Sequence, residues 1–140
     1  MPAEHPRTFY FLPLSFMLNV NRLTLLGTVT RDPETHTTKA GKQFTVIGIA
    51  TVRNWTDEAG NKHAEPEFHR LVCFKELAEF TADRVKKGTP LYVEGRLHTD
   101  RWQTENGEAK TRTEIIVDRL VLLSARAKGA QQAAENDAGA

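Results

Sequence analysis

The segment Glu67–Lys75 (EFHRLVCFK) constrains the fold more than any other stretch of the chain. Read with a period of two, Phe68, Arg70, Val72 and Phe74 share one face, and His69, Leu71 and Cys73 share the other. One face of a strand thus offers aromatic, basic, apolar and aromatic side chains in a row. A buried face has no use for Arg70 unless it is paired, whereas a face that stacks nucleobases and touches phosphates uses all four. That face is the candidate working surface.

The surrounding elements follow from the chain in order. Leu23 to Val29 alternates as a strand around Gly27, where a bulge or bend is expected. Asp32-Pro33 and Lys39–Lys42 are turns. Gln43 to Arg53 (QFTVIGIATVR) is a long, β-branched strand whose Gly48 suggests the strong coiling of a small barrel. Asn54 to Glu65 reads as a polar hairpin loop with Trp55 at its root, and the strand Glu67–Lys75 comes next. Leu77, Phe80 and Val85, with Ala78 and Ala82, have helical spacing through Lys87, and Gly88 is the expected stop. Leu91 to Thr99 is a fourth strand. Asp100 to Arg112 is a hairpin arm with a two-residue turn at Asn106-Gly107, and Thr113 to Leu123 is the last strand.

The order β-β-β-α-β-β, with five strongly coiled strands and one helix between strands 3 and 4, is the plan of an all-β OB-fold barrel. Such barrels bind oligonucleotides or oligosaccharides. The folded unit is expected over 17–124. Residues 1–16 read as an N-terminal extension, either a flexible arm or edge strand or a segment upstream of a natural start at Met17, too short and too broken by Pro13 for a spanning helix. Residues 125–140 are Ala/Gln/Gly-rich, lack an apolar stripe and read as a disordered tail.

At 140 residues the chain can bury a core, and 39% hydrophobic with 26% charged residues is ordinary globular composition. The net charge of +1 points to no partner by itself. Cys73 is the sole cysteine, which excludes an intramolecular disulfide and a cysteine-based zinc site, and mid-strand it reads as a small core residue. Asp32, Glu34, Glu65, Glu67, His36, His63 and His69 are scattered without metal-ligand spacing. There is no glycine-rich phosphate loop. No metal, no cofactor and no catalysis are expected.

The candidate chemistry is stacking and charge. Trp55 and Trp102 stand outside any apolar run, flanked by Asn54, Thr56, Arg101 and Gln103, so their exposure needs a reason. Phe68 and Phe74 join them as candidate stacking residues. Basic residues interleave as candidate phosphate contacts: Arg53, Arg70, Lys75, Arg96 and Arg101.

These motifs resemble the bacterial single-stranded DNA-binding proteins. The resemblance is carried by Asn21–Gly27, Arg31-Asp32-Pro33-Glu34, Ile49-Ala50-Thr51, Glu67–Val72, Leu77-Ala78-Glu79, Lys87-Gly88, Tyr92–Leu97 and Thr99–Trp102, in the family's order over 17–124. It implies an OB-fold and sequence-independent binding of single-stranded DNA in replication, recombination and repair. It also implies a homotetramer, no membrane and a cytoplasmic, nucleoid-associated protein. The family's stacking positions fall on Trp55, Phe68, Phe74 and Trp102, and His69 falls at a subunit contact. From the residue alone, a core or hydrogen-bonded histidine is an equal reading of His69. Two departures shape further expectations. The acidic, hydrophobic-tipped tail through which the family recruits enzymes has no counterpart in Glu135–Ala140, so recruitment by that route is not expected, as in a specialised paralogue, a mobile-element version or a truncated product. Asp100 beside Arg101 is expected to weaken the positive field of the arm slightly.

Overall fold

The computed structural model describes residues 18–123. The expectations for 1–16 and for the C-terminal tail lie outside these residues. The strands are β1 (Leu23–Val29), β2 (Glu34–Thr37), β3 (Gln43–Thr56), β4 (Lys62–Phe74), β5 (Pro90–Gln103) and β6 (Ala109–Leu122), with α1 (Lys75–Arg84) between β4 and β5. The sheet runs β1-β5-β6-β4-β3, and β1 also pairs with β3 through Thr28↔Ala50 and Val29↔Ile49. That pairing closes a five-stranded barrel. β2 is appended to the outer edge of β3 as a short ribbon. The five-stranded all-β architecture with one helix is as expected; β2 is an additional strand where a turn region was expected. Its sequence, Glu-Thr-His-Thr, is exposed throughout and carries no apolar alternation to mark it.

A simple parity organises the barrel. The buried core comprises Val29, Ile47, Ile49, Leu71, Cys73, Val85, Leu91, Val93, Ile115 and Val117, so every inward strand residue among them is odd-numbered. Inward and outward positions alternate along each strand. One irregularity, a bulge in the β5–β6 register at Glu94/Gly95, shifts β6 by one residue. Beyond it, Leu120 and Leu122 pair with Val93 and Leu91 and pack against the core.

The helix starts without a linker, directly after Phe74. This sets its rotation, so Ala78, Thr81 and Val85 (spacing i, i+3, i+7) face the barrel and Phe80 is exposed. The expected apolar stripe had Phe80 inside. The buried Thr81 hydroxyl is 2.6 Å from that of Thr45 and 2.7 Å from Leu77 O, so its burial is satisfied. The helix ends at Arg84 with Val85 extended, earlier than the expected stop at Gly88. Gly88 instead occupies the next turn, where its N–H donates to Val29 O (2.8 Å). Gly27 makes no bulge either, since the β1–β5 register runs through it without a break.

Three hairpins share one five-residue connection. In Thr38–Lys42, Asp57–Asn61 and Thr104–Glu108 the fourth-residue glycine N–H donates to the first residue's carbonyl. The first N–H donates to the fifth carbonyl, and the first side-chain oxygen accepts from the fifth N–H. The glycines sit at φ of 79–86°, the left-handed region that closes a type I turn with a bulge. Two expectations are corrected by this repeat. Asn106-Gly107 lies within a longer connection, and the polar loop over 54–65 is mostly paired ribbon, from Arg53↔Glu65 to Thr56↔Lys62. Both arms are therefore β-ribbons that project the strand alternation beyond the barrel.

Cys73 is fully buried, and that burial pushes its thiol up to about 11. The native thiol should resist a thiol reagent at pH 8 and react once guanidinium unfolds the chain. Because the unfolded thiol ionises first, the Cys73 contribution to stability is present below pH 9.0 and is lost as pH rises through about 11. Thermal melts of wild type and Cys73→Ala over that range should converge as pH rises.

Candidate nucleic-acid interface

Parity assigns each candidate residue to a face. Phe68, Arg70 and Phe74 on β4 are outward. On β6, Glu114 and Arg112 share that outer face, as do Arg96, Asp100 and Trp102 on β5 across the registers Arg96↔Ile116 and Asp100↔Arg112. Phe68, Phe74, Trp102, Arg70 and Arg96 thus belong to one continuous outer face. Arg53 and Trp55 are odd-numbered. They occupy the opposite face of the β3–β4 ribbon, and Arg101 likewise points away from Trp102. Lys75 opens the helix. A nucleic-acid strand touching both Phe68 and Trp55 has to pass around the ribbon.

Phe68 is 72% exposed, the most exposed aromatic among the described residues. It borders a shallow groove of about 340 Å³ lined also by Thr30, Arg31, Gly48, His69 and Arg70. Gly48 forms its floor, with the Thr30 hydroxyl above it donating to Gly48 O (3.1 Å). A Cβ at position 48 would lie 2.8 Å from that hydroxyl oxygen. Arg31 was not among the sequence-derived contacts. It sits after β1, and only the closure of β1 onto β3 brings it beside Phe68.

Arg70 is outward but not free. Its Nε donates to Glu114 Oε2 at 3.2 Å, and Glu114 is nearly buried. The condition attached to Arg70 in the sequence, that a covered arginine needs a partner, is met by a residue 44 positions away. Glu114 Oε2 also lies 4.0 Å from Arg112 Nε, and Arg112 Nη2 donates to Asp100 Oδ2 at 3.0 Å. The Arg112 guanidinium in turn covers the Trp102 ring at 4.9 Å. A chain of charges therefore joins the Phe68 groove to Trp102. Asp100 is paired within it with Arg112, and Arg101 leaves on the other face.

Trp55 is held differently. Its ring stacks on His63 with centroids 4.2 Å apart and planes 18° apart, and the Arg53 guanidinium is 5.9 Å from its centroid. His63 Nε2 lies 2.8 Å from Asp57 Oδ2. That contact, with the Asn61 N–H, holds the Asp57 carboxyl below its usual range. The arm tip thus presents Trp55 in a fixed orientation. His69 Nε2 is 2.9 Å from the Thr51 hydroxyl, an internal contact.

Lys75 has φ of 54°, left-handed for a residue with a side chain. Holding it there costs roughly 1–2 kcal/mol. Lys75→Gly should raise stability by about 1 kcal/mol in urea unfolding. If its ammonium meets phosphate, the same change should lower the salt dependence of binding by about one charge.

Among the described residues, no three His, Cys, Asp or Glu side chains are grouped to hold a metal, and no helix is long and apolar enough to cross a membrane.

A family profile described as "Single-strand binding protein family" matches residues 20–123. The chain belongs to that family. Single-stranded DNA-binding proteins of Xanthomonas campestris pv. campestris and Xanthomonas axonopodis pv. citri are each 34% identical to it over 110 residues, 79% of this chain. The chain spans 64% and 61% of the length of those relatives. Among solved structures, a Plasmodium falciparum SSB in complex with ssDNA superimposes with a TM-score of 0.70 at 27% identity, covering 77% of this chain and 98% of that one. A deletion mutant of the Thermus aquaticus single-stranded DNA-binding protein gives 0.67 at 28% identity, covering 76% of this chain and 52% of the other. The superimposed single-stranded DNA-binding structures agree with the expected OB-fold barrel.

Proposed function

We propose that this chain binds single-stranded DNA without sequence preference and protects it during replication, recombination and repair. Bases stack on Phe68, Phe74 and Trp102 along the outer face and on Trp55 at the arm, and Arg31, Arg53, Arg70, Lys75, Arg96 and Arg101 contact phosphates. The observation that carries this reading is Phe68. A phenylalanine ring 72% exposed beside two arginines suits a nucleobase and its phosphates better than it suits water. Arg70 stays in the reading because Glu114 engages its Nε and leaves the terminal nitrogens as donors.

Assembly as a homotetramer belongs to the same proposal, with His69 at a subunit contact. Thr51 already takes its Nε2, so the ring face and Nδ1 are what remain for a partner. Family membership and the ssDNA-bound neighbour support the ligand class. The test is fluorescence anisotropy of a labelled oligo-dT and of a labelled duplex. Tight, salt-sensitive binding of the single strand with weak binding of the duplex is expected. Equal affinity for both would overturn the proposal.

A further inference from the structure

The edge ribbon extends one stacking candidate, Phe74, into an aromatic row through Phe44 and His36, which are not among the candidates. In the register, His36 of β2 stands opposite Phe44 of β3, and Phe44 stands opposite Phe74 of β4. The His36 and Phe44 ring centroids are 5.3 Å apart with planes 22° apart. Those of Phe44 and Phe74 are 5.7 Å apart and tilted by 38°. All three residues are even-numbered, hence on the same outer face as Phe68.

The row begins about 20 Å along β4 from Phe68, six residues at 3.3 Å each, and runs across the strands to the edge of the sheet. β2 is the last strand of the sheet on that side. One face of the His36 ring is therefore occupied by Phe44 while the other looks outward, and its side chain is 45% exposed. Glu34 Oε2 lies 3.3 Å from His36 Nε2 and so holds the ring by its edge, leaving that outer face open. Lys42 and Lys75 line a separate groove of about 700 Å³ with Thr35, Gln43, Thr45 and Glu79, on the odd-numbered side of the ribbon.

A planar ring held by its edge, stacked on one side and exposed on the other is suited to the flat face of a nucleobase. We infer that the His36–Phe44–Phe74 row is a second stacking platform for single-stranded nucleic acid, on which His36 carries the outermost base. The inference rests on the single-strand binding proposed above. It extends the path of the strand from the Phe68 groove across Phe74 to the edge of β2.

The test compares wild type, His36→Ala, His36→Phe and Phe68→Ala in binding (dT) oligomers of about 4 to 16 nucleotides, the range of site sizes of one OB fold. His36 is exposed, so both of its variants should melt at the wild-type temperature. His36→Ala should lose about tenfold in affinity for the longest oligomers, the effect of one stacked base. It should lose nothing for the shortest, which the Phe68 groove accommodates alone. His36→Phe, a flat ring without charge, should restore the affinity. Wild-type affinity of His36→Ala at every length would overturn the platform. So would a loss that His36→Phe fails to restore, since the contact would then be ionic. Failure of wild type itself to bind any oligomer would instead overturn the functional reading, and Phe68→Ala serves as the positive control between the two.

Discussion

Phe68→Ala should weaken oligo-dT binding by one to two orders of magnitude while leaving the melting temperature almost unchanged. The two halves of this expectation have separate origins. Phe68 is far out of the core, on the even-numbered face of β4 opposite Ala50, so truncating it opens no cavity. Surface substitutions of that kind stay within about 0.5 kcal/mol. In a complex, the ring covers a base, and stacking of one base on one aromatic contributes about 1–3 kcal/mol, or roughly 5- to 150-fold in affinity. Arg31→Ala, across the groove, should reduce affinity less and lower the salt slope by about one. A Phe68→Ala protein that binds as wild type does would remove the central residue from the interface.

Gly95→Ala should have the opposite signature, a large loss of stability at a site distant from Phe68. Gly95 lies at the β5–β6 bulge, and a Cβ there would collide with the backbone carbonyl oxygen of Ile116. Backbone cannot rotate away as a side chain can, so strands β5 and β6 would have to separate. That movement would disturb Val93 and Val117 beside it, both in the core, and the switch of parity that turns Leu120 and Leu122 inward. The expected cost is about 3 kcal/mol, at the upper end of overpacking effects. Urea unfolding would check this by its midpoint. An unchanged midpoint would show that the bulge absorbs a methyl group and that the close approach is not what requires glycine.

Much of the fold was legible because it is written in local alternation. The β-branched run Gln43–Arg53 and the pattern Phe68/Arg70/Val72/Phe74 determine strands and faces before any contact is known. What escaped depends on contacts distant in sequence or on elements with no apolar signature. β2 is four exposed polar residues whose one strand partner is β3, so neither the strand nor the His36–Phe44 stack could be read. Arg31 joins Phe68 only through barrel closure, and Arg70 meets Glu114 through the parallel β4–β6 pairing. Treating 54–65 as loop also hid the consequence of its pairing. Once the ribbon is continuous, alternation sends Trp55 to the face opposite Phe68. Phe80 was misplaced because helix rotation was set by the abrupt junction at Phe74, which periodicity alone does not fix.

Tryptophan fluorescence during titration with oligo-dT, at low and high salt, tests the central claim most directly. Trp55 and Trp102 stand at the two arms, each about two-fifths exposed, and they are the only tryptophans in the chain. Strong quenching by the single strand, weakened as salt rises and absent with duplex DNA, is the predicted result. Unchanged emission through saturating oligo-dT would mean that neither arm meets a base, and would contradict the interface drawn here.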